Sequence, residues 1–393
     1  MKIERLELRL LKLPLVHFFE TSFGRIDDKH FLLVRIDGGG VAGYGECVAE
    51  QDPYYSAETN DTAWHIITGF IAPRLVGVEL EHPRDVLPAL GAIRGHNMAK
   101  AAVEMAAWDL FARQQDQPLW RVLGGTRDRI ASGVSIGIQP SLDDLAAKVE
   151  RELAAGYRRV KIKIKPGWDL DPVTMIRERF GSIPLMVDAN AAYQLKDAAH
   201  LAALDAFDLM MIEQPLDYDD LADHAALQRR LRTPICLDES IKTVRIAEDA
   251  IAAGACRIIN IKPGRIGGFR ESIRLHDVCA AHGIPVWHGG MLESGIGRAA
   301  NIHLSSLANF SLPGDVAASK RYFNPDLIEP PIEVASDGTI GVPHDPGLGV
   351  SIVDERVEGA TLKRVVISHQ SSVAGQESPV TTHKSQVSRQ ADV

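Results

Sequence analysis

Cysteine is scarce in this 393-residue chain, which carries only Cys47, Cys236, Cys256 and Cys279. No two of them form a C-x-x-C pair and all sit in apolar stretches, so neither a thiolate metal cluster nor a disulfide framework is indicated. Buried free thiols in a reducing cytosol are expected instead. Long apolar runs are also missing, and none approaches the roughly 20 residues that a membrane span needs. Met1 to Leu15 alternates charged and apolar residues and has no signal-peptide apolar core, so a cytoplasmic location is expected. Basic charge is in the minority, with 43 Lys and Arg against 52 Asp and Glu and a net charge of −9. Without a long basic run, neither nucleic acid nor an anionic membrane is expected as the main partner. An anionic small molecule stays open, because a site can be locally positive. A phosphate loop is lacking as well. Gly38-Gly39-Gly40 separates two strand-like runs and no helix start with Lys and Ser or Thr follows, so it reads as a turn.

Hydrophobic residues make up 45% of the chain and charged residues 24%, ordinary globular usage that supports a sizeable core. The length fits two domains, or one large barrel plus an appendage. Residues 1–125 read as an α+β domain. Ile3–Leu13, His30–Ile36 and Gly43–Cys47 have strand character, and Met98–Ala112 is rich in helix formers and apolar almost all round, as a buried helix would be. From 126 to 320 short apolar runs recur, each followed by a helical stretch: Ala131–Ile138, Arg158–Lys165, Ile183–Asn190, Asp208–Pro215, Pro234–Ser240, Cys256–Pro263 and Ile284–Gly290. A weaker eighth lies near Asn309–Pro313. This rhythm predicts a (β/α)8-type barrel, with a doubly wound open sheet as the competitor. Residues 321–367 lose the rhythm and are expected to return to the N-terminal domain as part of an α+β cap. Residues 368–393 are polar and predict a disordered tail.

The apolar runs end in distinctive polar residues. Lys163, Asp188, Glu213, Asp238 and Lys262 follow one another at intervals of 25, 25, 25 and 24 residues. One strand–helix unit is about this long, so five ionisable residues share one phase of five successive units, and in a barrel that phase is the catalytic rim. Alone, any one of them is more often a solvated loop charge; five in phase are not explained that way. Asp188, Glu213 and Asp238 would repel one another in a partly dry cleft, and a hard divalent cation removes the conflict. Ligation by oxygen alone predicts Mg²⁺ or Mn²⁺. Lys161 and Lys163 share a face of the second strand, and Lys262 on the sixth stands across the barrel. Positive charge from the metal, and from Lys161 beside Lys163, should push these amines towards neutrality, as a general base requires.

At these residues the chain resembles the enolase superfamily, and within it the o-succinylbenzoate synthase / N-succinylamino acid racemase group. The motifs are KIKIKPGWD (161–169), VDAN (187–190), IEQP (212–215), LDES (237–240), INIKPGRIGG (259–268) and GGMLESGIGRAAN (289–301). TSFG (21–24), YGEC (44–47) and AAWDL (106–110) extend the likeness over roughly residues 1–365. The resemblance implies that Asp188, Glu213 and Asp238 are metal ligands and that Lys163 and Lys262 form the acid/base pair. Lys161 would be the companion of Lys163, and Asn190 a polar group beside the metal. Ser135 would face the substrate, and Arg265 matches an arginine of the members that racemise N-succinylamino acids. A loop around Phe19–Gly24 would close the barrel mouth.

The expected chemistry is removal of the proton α to a carboxylate, giving an enediolate stabilised by the cation and the lysines. Return of the proton from the opposite lysine racemises an N-succinylamino acid. Loss of hydroxide from the β position yields o-succinylbenzoate, used in menaquinone synthesis. Arg265 favours the racemase, with a dedicated synthase as the alternative. A dipeptide epimerase or cycloisomerase and a non-catalytic carboxylate binder are the remaining readings. Assembly as a homo-oligomer is expected. Met291 and Leu292 suit an apolar side-chain pocket or core packing, and Glu293 suits an ordering role in its loop. His288 and Trp287 are expected to be structural and Lys165 exposed. Gly264, Gly267 and Gly268 are expected to form a tight turn that admits the substrate to the backbone.

Overall fold

A computed structural model describes residues 1–21 and 24–368. Ser22, Phe23 and the tail from 369 onward, where disorder was expected, lie outside the described residues.

The chain opens with three antiparallel strands, β1 (Arg5–Glu20), β2 (Arg25–Gly38) and β3 (Val41–Cys47). The turn between β2 and β3 uses Gly39 and Gly40 at φ +60° and +81°, a conformation that costs glycine little. The alanine-rich helix α1 (Asn97–Gln114) lies across this sheet with nearly every residue buried. It can come so close because β3 offers Gly43 and Gly45: a Cβ on Gly45 would stand 2.0 Å from the Ala102 carbonyl oxygen. The Glu58 carboxylate accepts the Met98 and Ala99 N–H groups at the start of α1. The last described strand, Thr361–Ser368, pairs antiparallel with β1 and completes a four-stranded cap sheet.

Seven parallel strands follow in sequential order: β4 (Gly133–Ile136), β5 (Arg159–Lys163), β6 (Leu185–Asp188), β7 (Ile212–Glu213), β8 (Ile235–Leu237), β9 (Ile258–Ile261) and β10 (Val286–His288). Sequential order has no switch point, which removes the doubly wound sheet. The eighth position is a segment without regular strand pairing, where Phe310 bridges to Val286 and Gly314 to Ser132. It closes the ring as a modified (β/α)8 barrel capped by the α+β sheet. The connecting helices are amphipathic for the usual reason. In Leu142–Ala154, Leu145, Ala146, Val149 and Glu152 face inward, and Ser141 caps the first turn by accepting the Asp144 N–H.

Two buried carboxylates of the cap hold the barrel helices by their N-terminal N–H groups. Glu104 accepts from Phe269 N at 2.8 Å and Arg270 N at 3.0 Å, and also from the Trp108 indole at 2.6 Å. Glu46, in YGEC, accepts from Ser294 N at 3.1 Å, Ser294 Oγ at 2.6 Å and Gly297 N at 3.2 Å. Burial pushes both carboxyls up to about 7 despite these donors. Asp109, in AAWDL, accepts the Tyr44 and Leu348 N–H groups in the same structural manner. The four cysteines are buried free thiols.

The glycines of KPGRIGG form the tight turn expected, with Gly267 and Gly268 at φ +107° and +115° and both N–H groups donating to the Pro263 carbonyl oxygen, but their small size serves another contact. A Cβ on Gly264 would meet Val48, and one on Gly268 would meet the Glu104 carboxylate at 2.3 Å. Side chains of the docked cap, Val48, Asn97 and Glu104, are what approach them, so the small residues serve domain packing and not substrate access.

Candidate active site at the barrel mouth

Strand register brings the predicted residues together. Lys163 on β5 stands beside Asp188 on β6, and Asp188 beside Glu213 on β7. Asp238 directly follows β8, and Lys262 directly follows β9. All five side chains are buried at the same end of the barrel, under the cap. Lys161, two residues before Lys163, points the same way because side chains alternate along a strand.

Each carboxylate is engaged by a cation of the chain. Lys163 Nζ lies 2.6 Å from Asp188 Oδ2. Lys161 Nζ lies 2.9 Å from Glu213 Oε2 and 3.3 Å from Asp188 Oδ2. Lys262 Nζ lies 2.8 Å from Asp238 Oδ2, whose other oxygen is bonded by Arg265. Asn260 donates to Glu213 Oε1 at 2.7 Å. Burial works against the charge on Lys161, but Asp315, Glu213 and Asp188 outweigh it and hold the amine above its ordinary range. Burial is likewise outweighed at Lys262, chiefly by Tyr55 and Glu239, and its amine is also raised. In the chain by itself, the expected drift towards neutrality is therefore reversed at these two lysines, by three carboxylates around Lys161 and by Tyr55 with Glu239 and Glu213 around Lys262. Asp188 is held below the carboxylate range: burial opposes this, and Lys163 and Lys161 overcome it. Glu213 is pushed up by burial and by the neighbouring Asp188 charge.

Among the described residues no three His, Cys, Asp or Glu side chains stand in a ready-made cation cage. The donor set nevertheless suits a hard divalent ion. Three buried carboxylates converge from neighbouring strands, and beside them the Glu239 Oε2 atom is buried without a hydrogen-bond partner. Glu239 is itself raised by burial and by Asp188, and its Oε1 accepts from Asn190 Nδ2 at 3.0 Å.

A small cavity of about 70 Å³ lies over the lysines. Ser135, Lys161, Lys163, Asn190, Lys262, Met291 and Leu292 line it, together with Phe19, Thr21 and Ile26 of the cap hairpin. The Ser135 Oγ atom is buried without a partner. Asn190 is half-buried and takes φ +43°. Ala191, Gln214 and Leu292 also adopt positive φ, so the backbone is strained at several loops of this one rim. Arg265 is not in the cavity wall; it sits behind Asp238, with its Nε donating to the Ile241 carbonyl oxygen at 2.7 Å. Glu293 orders its loop by accepting the Met291 N–H. His288 is buried against Phe310 and pushed down to about 4 by burial. Trp287 is fully buried, with the Lys161 ammonium 4.8 Å from the centre of its ring. Lys165 is half-buried at a tight turn to Trp168, where mutual backbone hydrogen bonds hold it partly out of solvent.

Glu239, which the sequence offered only within LDES, and three further contributors were not singled out in the sequence. Asp315 bonds Lys161 at 2.5 Å and Arg159 at 2.6 Å. Counting two further units from Lys262, by 26 and 27 residues, passes through His288 and reaches Asp315. Asn260 stands two residues before Lys262, in the same alternation. Tyr55 comes from an irregular cap loop and left no periodic signal.

A lysine pair flanking buried carboxylates at the mouth of a capped barrel defines a class of enzyme that works on an α-proton. Two family models match the chain: the enolase C-terminal domain-like model over residues 144–356, and the mandelate racemase / muconate lactonizing enzyme N-terminal domain over residues 7–124. An o-succinylbenzoate synthase from Geobacillus kaustophilus is 53% identical over 360 residues, covering 91% of this chain and 96% of the relative. An N-succinylamino acid racemase from an Amycolatopsis species is 49% identical over 368 residues, covering 93% of this chain and 100% of the relative. A solved enolase-superfamily member from Listeria innocua superposes with a TM-score of 0.90 at 39% identity, covering 94% of this chain and 99% of that one. The chain belongs to the enolase superfamily and is an enzyme of it, and enzymes of this superfamily use a divalent metal.

Proposed function

We propose that the chain racemises N-succinylamino acids, or closely related N-acylamino acids, and also supports o-succinylbenzoate synthesis. The observation that carries this reading is the placement of Lys163 and Lys262 at the two ends of the carboxylate series, Lys163 on Asp188 and Lys262 on Asp238, with both lining one cavity. Asp188, Glu213 and Asp238 would hold one divalent cation, Mg²⁺ or Mn²⁺. That cation would take the substrate carboxylate and stabilise the charge that develops on it. With Asp188 and Asp238 so engaged, they would no longer be held solely by Lys163 and Lys262, leaving those two amines free to face the substrate.

One lysine then removes the α-proton: its Nζ lone pair forms the N–H bond, and the C–H electrons move into the substrate carboxylate. The other lysine, as ammonium, returns a proton from the opposite face. Lys161 remains charged beside Asp315 and adds positive potential next to the reacting carboxylate. Ser135 offers an unpaired hydroxyl to the substrate, Asn190 steadies the cluster through Glu239, and Met291 and Leu292 receive an apolar side chain. Arg265 orients Asp238. The chain is read as a cytoplasmic homo-oligomer acting on a small carboxylate, with no nucleic-acid or membrane partner. No described helix is long and apolar enough to cross a membrane.

A dedicated o-succinylbenzoate synthase serving menaquinone synthesis is the second reading, supported by the relatives of that name. It needs only one lysine as base, so the lysine variants separate the two. Proton NMR with N-succinyl-L-phenylalanine in D₂O and Mg²⁺ or Mn²⁺ should show loss of the α-proton signal and growth of the D-enantiomer. Lys163→Ala and Lys262→Ala should both abolish racemisation. No exchange at any metal concentration rejects the racemase reading and leaves the dehydration to be assayed.

A further inference from the structure

Lys262 is held from two sides, by its own barrel and by the cap. Asp238 takes its ammonium at 2.8 Å, and the Tyr55 hydroxyl accepts from it at 3.1 Å. The same hydroxyl accepts from Arg265 at 3.1 Å, and the Lys262 ammonium lies 4.7 Å from the centre of the Tyr55 ring. Lys163 is held differently, by Asp188 of the neighbouring barrel strand. If Asp238 ligates a cation, as proposed above, its grip on Lys262 weakens, and Tyr55 is left as an anchor that does not compete for the metal.

Tyr55 is half-buried and lines two cavities. One is the cavity over the lysines. The other, of about 500 Å³, lies between the 53–58 segment, the start of α1, and the barrel loops that carry Tyr218 and Lys242. The side chain thus has room behind it, and its hydrogen bonds fix it against the base.

We propose that Tyr55 is a positioning residue for Lys262, through which the cap sets this ammonium on its face of the substrate. The proposal rests on the racemase reading. Its consequence is asymmetric: loss of the hydroxyl slows proton transfer on the Lys262 face more than on the Lys163 face.

The test uses Tyr55→Phe, which keeps the ring, and Tyr55→Leu, which removes both hydroxyl and ring. With Mg²⁺ in D₂O, α-proton exchange is followed separately for N-succinyl-L-phenylalanine and N-succinyl-D-phenylalanine across substrate concentrations. Lys163→Ala and Lys262→Ala first assign each enantiomer to its lysine. The expected result for Tyr55→Phe is a loss of about tenfold in exchange of the Lys262 enantiomer relative to the other, the scale of one charge-assisted hydrogen bond. The loss should lie in kcat with KM near the original value, and Tyr55→Leu should increase the asymmetry. Equal losses for both enantiomers, or a change confined to KM, overturn the role of Tyr55 and leave the racemase reading intact. Exchange of neither enantiomer by the unsubstituted chain rejects the racemase reading, and this proposal with it.

Discussion

Asp315→Asn isolates the charge balance beneath the candidate site. The Asp315 carboxylate joins two buried cations, with Lys161 at 2.5 Å and Arg159 at 2.6 Å. Both partners keep other contacts. Lys161 has Glu213 and Asp188, and Arg159 donates to the Pro313 carbonyl oxygen at 2.8 Å. An amide preserves the shape but removes the negative charge, and it turns one acceptor into a donor aimed at a cation. Removing one partner of a buried ion pair typically costs about 3–5 kcal/mol. The remaining partners of Lys161 place the expected loss near the lower figure, about 3 kcal/mol at pH 7. Burial works against the Asp315 charge, but Lys161 and Arg159 overcome it and hold the carboxyl well below its ordinary range. A carboxyl depressed by folding contributes stability above its unfolded pKa of roughly 4 and loses it as the pH falls. The original chain and Asp315→Asn should therefore differ by about 3 kcal/mol in urea unfolding at pH 7 and converge at acid pH. A difference below about 1 kcal/mol at pH 7, or one that stays constant on acidification, refutes the argument.

Glu46 and Glu104 should produce the opposite slope. Both are raised to about 7 from an ordinary 4.5, so the stability tied to their neutral form is complete below about 4.5 and is lost as the pH rises through about 7. The scale is about 3 kcal/mol each at most, and the double variant Glu46→Gln/Glu104→Gln should flatten this limb in denaturant titrations at pH 5 and pH 8; an unchanged slope sinks it. Gly45→Ala should destabilise by more than about 2 kcal/mol, because the new Cβ would lie 2.0 Å from the Ala102 carbonyl oxygen, and thermal unfolding reads this directly. Exhaustive chelation should abolish α-proton exchange until Mg²⁺ or Mn²⁺ is restored. Titration calorimetry of the metal-free protein should show Asp188→Asn weakening cation binding by at least tenfold. The four buried cysteines should resist a thiol reagent in the native state and react after unfolding, since burial pushes the Cys47, Cys256 and Cys279 thiols up to about 12.

The barrel and much of the site were legible in the one-dimensional pattern because both are periodic. Each strand–helix unit repeats its length, so Lys163, Asp188, Glu213, Asp238 and Lys262 recur in phase and must rise at one rim of a parallel sheet. Strand alternation likewise placed Lys161 beside Lys163. What the sequence could not show is set by contacts that have no period. Tyr55 reaches Lys262 across 207 positions, from an irregular cap loop. Asp315 sits in a segment that closes the ring without regular strand pairing, so its apolar signal was weak. The environment of Lys161 and Lys262 depends on every carboxylate and on the Tyr55 hydroxyl within reach, and only the folded chain brings those together. The turn at the KPGRIGG glycines was legible, but the partner they admit was not: what approaches a backbone is a property of the docked cap and leaves no trace in local spacing. Local periodicity therefore determined the architecture and the rim of ionisable residues, whereas tertiary packing of cap on barrel decided which neighbours hold and tune those groups.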